Sequence, residues 1–226
     1  MKRIPLIVLL GALLSSALCP AQVAKKANEA YQTKEGREGI AKTLADPHRD
    51  ERQHPRDIVA ALNLKKGQTV VDLGTGVGYM LPYLSQAVGP TGTVIAEDIA
   101  QDFIDKAKQR ASAIGLRNVQ FILGTAQDPL LPGDKADAVL VLDVYHHFDY
   151  PATMLGHIRD SLVSDGRLYI VDFYKRPDAM PNGRAMEHIR LDIDDVIHEV
   201  EDGGFRSLGS SELTPHSQYI AVFAKK

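Results

Sequence analysis

The chain has 226 residues, of which 44% are hydrophobic and 24% are charged, and its formal net charge at pH 7 is −3. These values suit one globular domain with a sizeable core, and the scattered basic residues argue against a nucleic-acid partner. The single cysteine, Cys19, lies near the N-terminus, so the rest of the chain offers neither a disulfide nor a thiolate metal site.

The first 21 residues have the pattern of a secretory signal peptide. Two basic residues precede an apolar run over residues 4–18, which is shorter than the roughly 20 residues of a membrane span. We expect cleavage after Ala21 and an exported protein, periplasmic or extracellular, that begins at Gln22. Lipid attachment at Cys19 and retention of the segment as an anchor stay open, and membrane contact is expected only through such an N-terminus.

Residues 22–55 are polar and predict a helical N-terminal extension that ends in a charged connector. Pro47 and Pro55 bound this connector and bias the residues before them away from helix. A solvated tether between the signal segment and the domain is an equally open interpretation.

From residue 56 to residue 226, strand and helix patterns alternate along one predicted domain. Apolar runs predict strands at residues 68–73, 93–99, 119–123, 136–142, 167–173, 205–212 and 218–224. Helical patterns fall at residues 57–62, 78–88, 100–114, 151–162 and 189–202. The order predicts an α/β fold with a doubly wound, mostly parallel sheet and helices on both faces.

A glycine-rich turn follows the first of these strands, with Asp72 at the strand end and then Gly74, Gly76 and Gly78. Glycine allows positive φ and a close backbone approach to a ligand, while the first N–H groups of the next helix stay free to bind it. A dinucleotide fingerprint needs its third glycine one residue after Gly78, so the spacing argues against NAD.

The pattern D-L-G-x-G-x-G resembles motif I of the class I S-adenosylmethionine-dependent methyltransferases, and the resemblance covers about residues 56–226. It implies a Rossmann-like methyltransferase fold of seven strands, the last of them antiparallel. It also implies S-adenosylmethionine as the cofactor, bound in part by Asp72, Gly74, Gly76 and Gly78.

An acid at the end of the second strand is expected to bind the cofactor ribose, because a carboxylate accepts hydrogen bonds from both hydroxyls. Asp98 follows the glycines at the usual distance of roughly 20 residues and matches the family's ribose-binding acid. Glu97 is the rival, one residue earlier and on the opposite strand face.

Two further strand ends resemble cofactor-binding segments of the family. Thr125 and Ala126 follow the third strand, where they are expected to frame the adenine, although Thr125 stands where the family usually has an acid. Asp143 follows the fourth strand and is expected to contact the methionine end of the cofactor.

The same segment continues to His146 and His147, in a pattern that resembles the D-x-x-H-H-F of small-molecule methyltransferases. A histidine has a pKa suited to deprotonating an acceptor, so His146 and His147 are the candidate catalytic residues, with His188 as a third. Asp172, at the end of the fifth strand, is expected to hydrogen-bond the loop. No metal is expected, because adjacent histidines do not readily chelate one ion and no further ligands stand at zincin spacing.

The sequence therefore predicts a methyltransferase that acts on a small-molecule, lipid or quinone-like acceptor. One alternative is a non-catalytic protein that binds S-adenosylmethionine or a nucleoside. A less favoured alternative is an NAD-dependent oxidoreductase, against which the glycine spacing and the absence of a Y-x-x-x-K pair both argue. The oligomeric state is left undetermined.

Overall fold

The computed structural model describes residues 22–226, and the predicted signal segment lies outside the described residues. The strands are β1 Thr69–Leu73, β2 Thr93–Asp98, β3 Val119–Leu123, β4 Ala136–Leu142, β5 Leu162–Phe173, β6 Phe205–Thr214 and β7 Gln218–Lys225. The helices are α1 Lys34–Leu44, α2 Arg49–Gln53, α3 Pro55–Leu62, α4 Leu81–Val88, α5 Gln101–Ala113, α6 Pro151–Ser161, α7 Ala185–His188 and α8 Ile193–Asp202.

The strands form one seven-stranded sheet in the order β3-β2-β1-β4-β5-β7-β6. All neighbours pair in parallel except β7, which runs antiparallel to both β5 and β6. The predicted Rossmann-like methyltransferase fold is thus confirmed. Chain order reverses between β1 and β4, and the crevice outside the carboxyl ends of strands at such a switch point is the usual ligand site of open α/β sheets.

Successive side chains of β4 pack into two separate parts of the core, one on each face of the sheet. Val139 and Val141 pack in a cluster with residues of α6 and α8, whereas Ala138 and Leu140 pack in a second cluster with residues of α3, α4 and α5. Successive strand side chains point to opposite faces, so a strand buried on both faces is apolar throughout.

Most predicted boundaries differ from the structure by three residues or fewer, and two differ by more. The helix predicted from residue 189 begins at Ile193, because Asp192 has extended backbone angles and its side chain accepts the Ile193 N–H as an N-cap. Strand β5 begins at Leu162, earlier than predicted, because the polar residues before Arg167 form an irregular segment of the strand in place of a loop.

The N-terminal extension packs along the carboxyl edge of the sheet. The Tyr31 ring meets the Phe103 ring edge-on with centroids 6.2 Å apart, and Ala41 joins Val77 and Phe103 in a small buried cluster. The extension therefore packs as a cap over the crevice and not as a solvated tether. The boundary between the extension and the domain at residues 55 and 56 stays a prediction.

Within residues 22–226, none of the helices combines the length and the apolar character that crossing a bilayer requires.

Truncation of Leu155 to alanine should lower the free energy of unfolding by about 2–5 kcal/mol, because its α6 side chain is fully buried against the sheet. Urea unfolding measures the loss. Leu208→Ala is the matched control, since that side chain is 44% exposed on β6, and it should change stability by less than about 0.5 kcal/mol. Equal losses in the two variants would contradict this assignment of the α6 packing face.

Candidate functional site

A cavity of about 800 Å³ lies at the switch point between β1 and β4. This volume is within the range of small-molecule and cofactor sites. The cavity is lined by the glycine turn after β1, the ends of β2 and β4, and side chains of the N-terminal extension. The sheet thus provides one wall and the extension provides the other.

The glycine turn has the backbone conformation that the sequence predicts. Gly74, Gly76 and Gly78 have φ values of +74°, +56° and +77°. A Cβ atom on Gly74 would lie 2.6 Å from a methyl carbon of Val144, and one on Gly78 would lie 2.8 Å from Leu81. Only glycine therefore fits these positions without strain.

Six of the eight predicted cofactor residues line the cavity: Asp72, Gly74, Gly76, Asp98, Ala126 and Asp143. Gly78 and Thr125 are not among its lining residues. The Cβ position of Gly78 faces Leu81 and Ala107, so this glycine permits helix packing. The Thr125 hydroxyl accepts the Asp128 N–H at 2.9 Å within its own loop, so it is turned to backbone and not to the cavity.

Both acids at the end of β2 reach the cavity, so the choice between them for the ribose stays a prediction. Asp98 accepts the N–H groups of Gly76 and Ala100, each at 2.9 Å. Glu97 accepts the Gly74 N–H at 3.3 Å through Oε2, while its buried Oε1 has no hydrogen-bond partner. A buried acceptor without a partner is costly unless a ligand or solvent supplies a donor.

Burial raises the pKa of Asp72, Asp98 and Asp143 in the cavity. The pKa values of Asp72 and Asp98 rise to about 6 and that of Asp143 to about 7, in each case mainly because burial removes water from the ionised form. The Thr75 hydroxyl donates to Asp72 at 2.6 Å and partly offsets this effect. A cationic ligand would favour the ionised form of all three acids.

Arg49 is a cavity residue that the sequence analysis missed. Its guanidinium carbon lies 4.0 Å from the centre of the Tyr79 ring, and Nη2 lies 3.5 Å from Asp143 Oδ2. The side chain belongs to α2 in the predicted connector, and no motif or spacing relates that connector to the glycine turn. The fold alone brings Arg49 to the cavity.

The histidine pair of the loop after β4 and the third candidate, His188, meet beside the cavity. The rings of His146, His147 and His188 have centroids 4.1, 4.9 and 5.3 Å apart. His147 lines the cavity, and His146 is buried behind it with Nδ1 2.7 Å from Asp172 Oδ1. Burial lowers the pKa of His147, and it lowers the pKa of His188 to about 4.

Asn28 holds the ring of His147 from the N-terminal extension. His147 Nδ1 lies 2.8 Å from Asn28 Oδ1, and the Asn28 amide donates back to the His147 carbonyl at 3.0 Å. The Asn28 oxygen accepts, so Nδ1 carries the hydrogen and Nε2 carries the lone pair. In this neutral state His147 can take up a proton or bind a metal through Nε2.

Comparison with known proteins gives the family. Residues 64–205 match the profile of a family described as a methyltransferase domain. A crystal structure of an S-adenosylmethionine-dependent methyltransferase from Aquifex aeolicus is similar, with a TM-score of 0.76 and 27% identity over 83% of this chain and 98% of that chain.

Curated relatives match over shorter stretches. The protein-L-isoaspartate O-methyltransferase of Ignicoccus hospitalis is 28% identical over 103 residues, which are 46% of each protein. The ubiquinone/menaquinone biosynthesis C-methyltransferase UbiE of Citrobacter koseri is 28% identical over 153 residues, which are 66% of this chain and 60% of that protein. The chain thus spans less than two thirds of these relatives' length. By the family match over residues 64–205, the chain belongs to the class I S-adenosylmethionine-dependent methyltransferases, and its cofactor is S-adenosylmethionine.

Proposed function

We propose that the protein transfers a methyl group from S-adenosylmethionine to a small-molecule, lipid or quinone-like acceptor. One observation carries this proposal: the glycine turn with its acids and His147 line the same cavity. The surface proposed to bind the cofactor and a side chain that can accept a proton thus line one cavity of about 800 Å³. This volume and the N-terminal cap over the crevice favour a small acceptor over a folded macromolecule.

Two observations support the fit of the cofactor to these residues. The glycine turn is a concave backbone surface that side chains would fill, and the buried Asp72 and Asp98 carboxyls have raised pKa values that a cationic ligand would lower. In the proposed arrangement Gly74 and Gly76 approach the cofactor through their backbone, Asp98 accepts from the ribose hydroxyls, and Ala126 borders the adenine. When bound, S-adenosylmethionine supplies a methyl group already activated by its sulfonium.

The charged side chains around the cavity suit the methionine end of the cofactor. Asp72 and Asp143 offer carboxylates for an ammonium and a sulfonium, and the Arg49 guanidinium offers a counterion for a carboxylate. Such pairs are strong where water is excluded. Arg49 therefore orients the methionine end, and the acids favour the charged cofactor over its neutral-sulfur product.

The acceptor in this proposal lies against His147. Methyl transfer requires an in-line approach to the sulfonium carbon, so positioning supplies much of the rate. An acceptor hydroxyl or acidic carbon must also lose a proton, and the neutral His147 imidazole, held through Nδ1 by Asn28, offers Nε2 to accept one. His146, which Asp172 holds in one orientation, supports His147 from behind.

Several relatives bear on the acceptor class. The relatives include a demethylmenaquinone methyltransferase of Geobacillus stearothermophilus, 30% identical over 86 residues, but also isoaspartate and tRNA methyltransferases. The proposal of a quinone-like acceptor therefore depends on the cavity rather than on these names. The proposed export of the protein depends only on the signal pattern of residues 1–21.

Binding of S-adenosylhomocysteine to the full-length chain, measured by calorimetry with NAD as the parallel ligand, tests the proposed cofactor site. We expect binding of the first compound and none of NAD. Asp98→Asn should weaken binding about 10–100-fold, because charge-assisted bonds to the ribose are lost. Its neighbour Glu97→Gln should change affinity less than about 3-fold, and the reverse ranking would make Glu97 the ribose acid.

The affinity for S-adenosylmethionine should rise about tenfold between pH 5 and pH 7.5. Asp72 and Asp98 have pKa values of about 6, so they lose protons and gain negative charge across this range. A cationic ligand binds better to the ionised acids, and one unit of pKa shift corresponds to a factor of about 10. Calorimetry at four pH values measures the slope, which Asp72→Asn should flatten. An affinity that falls with pH would contradict this electrostatic account.

Transfer of a labelled methyl group to a panel of phenols, quinols and carboxylic acids tests the reaction itself. His147→Gln should lower kcat by about 100-fold or more, while S-adenosylhomocysteine affinity stays within about 3-fold. His198→Gln is the control, because His198 is exposed on α8 away from the cavity. Cofactor binding without methylation of any acceptor would instead favour the non-catalytic binding protein.

A further inference from the structure

The three histidines beside the cavity form a cluster that proton transfer alone does not require. His146 and His147 lie in the turn after β4, and His188 ends the short helix α7 after β5. One ring nitrogen from each histidine lies within 4.8 Å of the other two. We call His146, His147 and His188 the histidine cluster.

Two members of the histidine cluster are oriented by oxygen acceptors. Asp172 Oδ1 lies 2.7 Å from His146 Nδ1, and Asp172 Oδ2 accepts the His146 backbone N–H at 3.1 Å. Asn28 Oδ1 lies 2.8 Å from His147 Nδ1. In both rings Nδ1 faces the oxygen acceptor, so Nε2 is the ring nitrogen left for an ion. Metal-binding histidines are held in the same way, with the second ring N–H donated to a carboxylate or carbonyl oxygen.

We propose that the histidine cluster binds one divalent transition-metal ion with the preferences of Zn²⁺, through one nitrogen of each imidazole. Neutral imidazoles suit such ions, and the Asp172 carboxylate supplies negative charge directly behind the site. Three protein ligands leave the fourth position of a tetrahedral ion open. His147 also lines the cavity, so this open position borders the place of the acceptor.

The spacing requires only a small contraction of the cluster. A tetrahedral zinc ion with nitrogen ligands at about 2.0–2.1 Å separates those nitrogens by about 3.4 Å, against an upper separation of 4.8 Å here. His188 supplies the adjustment, because it is partly exposed and lies on a helix of 4 residues. Arg184 directly precedes α7, and its positive charge repels a cation near His147 and His188. The Asp172 carboxylate provides the compensating negative charge.

The metal site changes the expectation drawn from the sequence. The adjacent His146 and His147 alone do not chelate one ion readily, and no further ligand stands at zincin spacing from them in the sequence. Parallel pairing of β4 with β5 brings the loop after β5 beside the loop after β4, and His188 becomes the third ligand. If the proposed methyl transfer holds, a bound ion would occupy the ring nitrogen of His147 that accepts the proton in the metal-free site. The ion would then activate the acceptor in its place and would favour acceptors that present an oxygen atom, because a bound metal lowers the pKa of an oxygen ligand.

The test measures metal binding without cofactor or acceptor, so its outcome is independent of the proposed function. The full-length chain is stripped with a chelator and titrated with Zn²⁺ in competition with a chromophoric chelator, and separately with Co²⁺. We expect one equivalent of Zn²⁺ and the intense visible absorption of tetrahedral Co²⁺. His188→Gln should weaken Zn²⁺ binding at least 100-fold and abolish that absorption. Asp172→Asn should weaken binding about 10–100-fold.

His198→Gln is the matched control, since it removes an exposed imidazole from α8 and should leave Zn²⁺ binding unchanged. S-adenosylhomocysteine affinity, measured on the same samples, reports whether His188→Gln and Asp172→Asn are folded, because neither residue lines the cavity. No stoichiometric Zn²⁺ binding would overturn the proposal. Binding that survives both His188→Gln and His147→Gln would also overturn it, since the ion would then lie elsewhere.

Discussion

The close contact between Gly74 and Val144 is the constraint on which the site depends. A Cβ on Gly74 would lie 2.6 Å from a Val144 methyl carbon, so the loop after β4 lies where it does only because a glycine directly follows β1. That loop carries Asp143, with φ +56°, and His146 three residues later. The backbone at the switch point therefore fixes the relative positions of the cofactor turn and the candidate catalytic segment.

The site buries carboxyl groups, which lowers the stability of the fold and makes the cavity favour cationic ligands. Asp72, Asp98 and Asp143 all have raised pKa values because the surrounding protein removes water from them. The chain offsets part of this cost with backbone N–H groups, the Thr75 hydroxyl and the Arg49 guanidinium. A cationic ligand would offset more of the cost of burying these carboxyls. The cavity therefore suits a cationic ligand better than a neutral nucleoside.

The N-terminal extension completes the site. Asn28 orients the His147 ring, Tyr31 packs edge-on against that ring at 4.7 Å, and Arg49 balances Asp143. The extension therefore closes the cavity, contributes charge and fixes a tautomer. A domain that begins at residue 56 would retain the cofactor turn and lose all three of these contributions.

The sequence by itself determined the fold class, the order of the strands along the chain, the glycine turn and two rival ribose acids, because these depend on periodicity and on local backbone preference. Helix and strand ends were less predictable where one polar residue decided them, as Asp192 does at α8. Only the tertiary structure decided that Arg49 reaches Asp143, that Thr125 turns away from the cavity, and that His188 joins His146 and His147. These contacts join segments distant in the chain, and their geometry follows from strand pairing and helix packing, which no local pattern encodes.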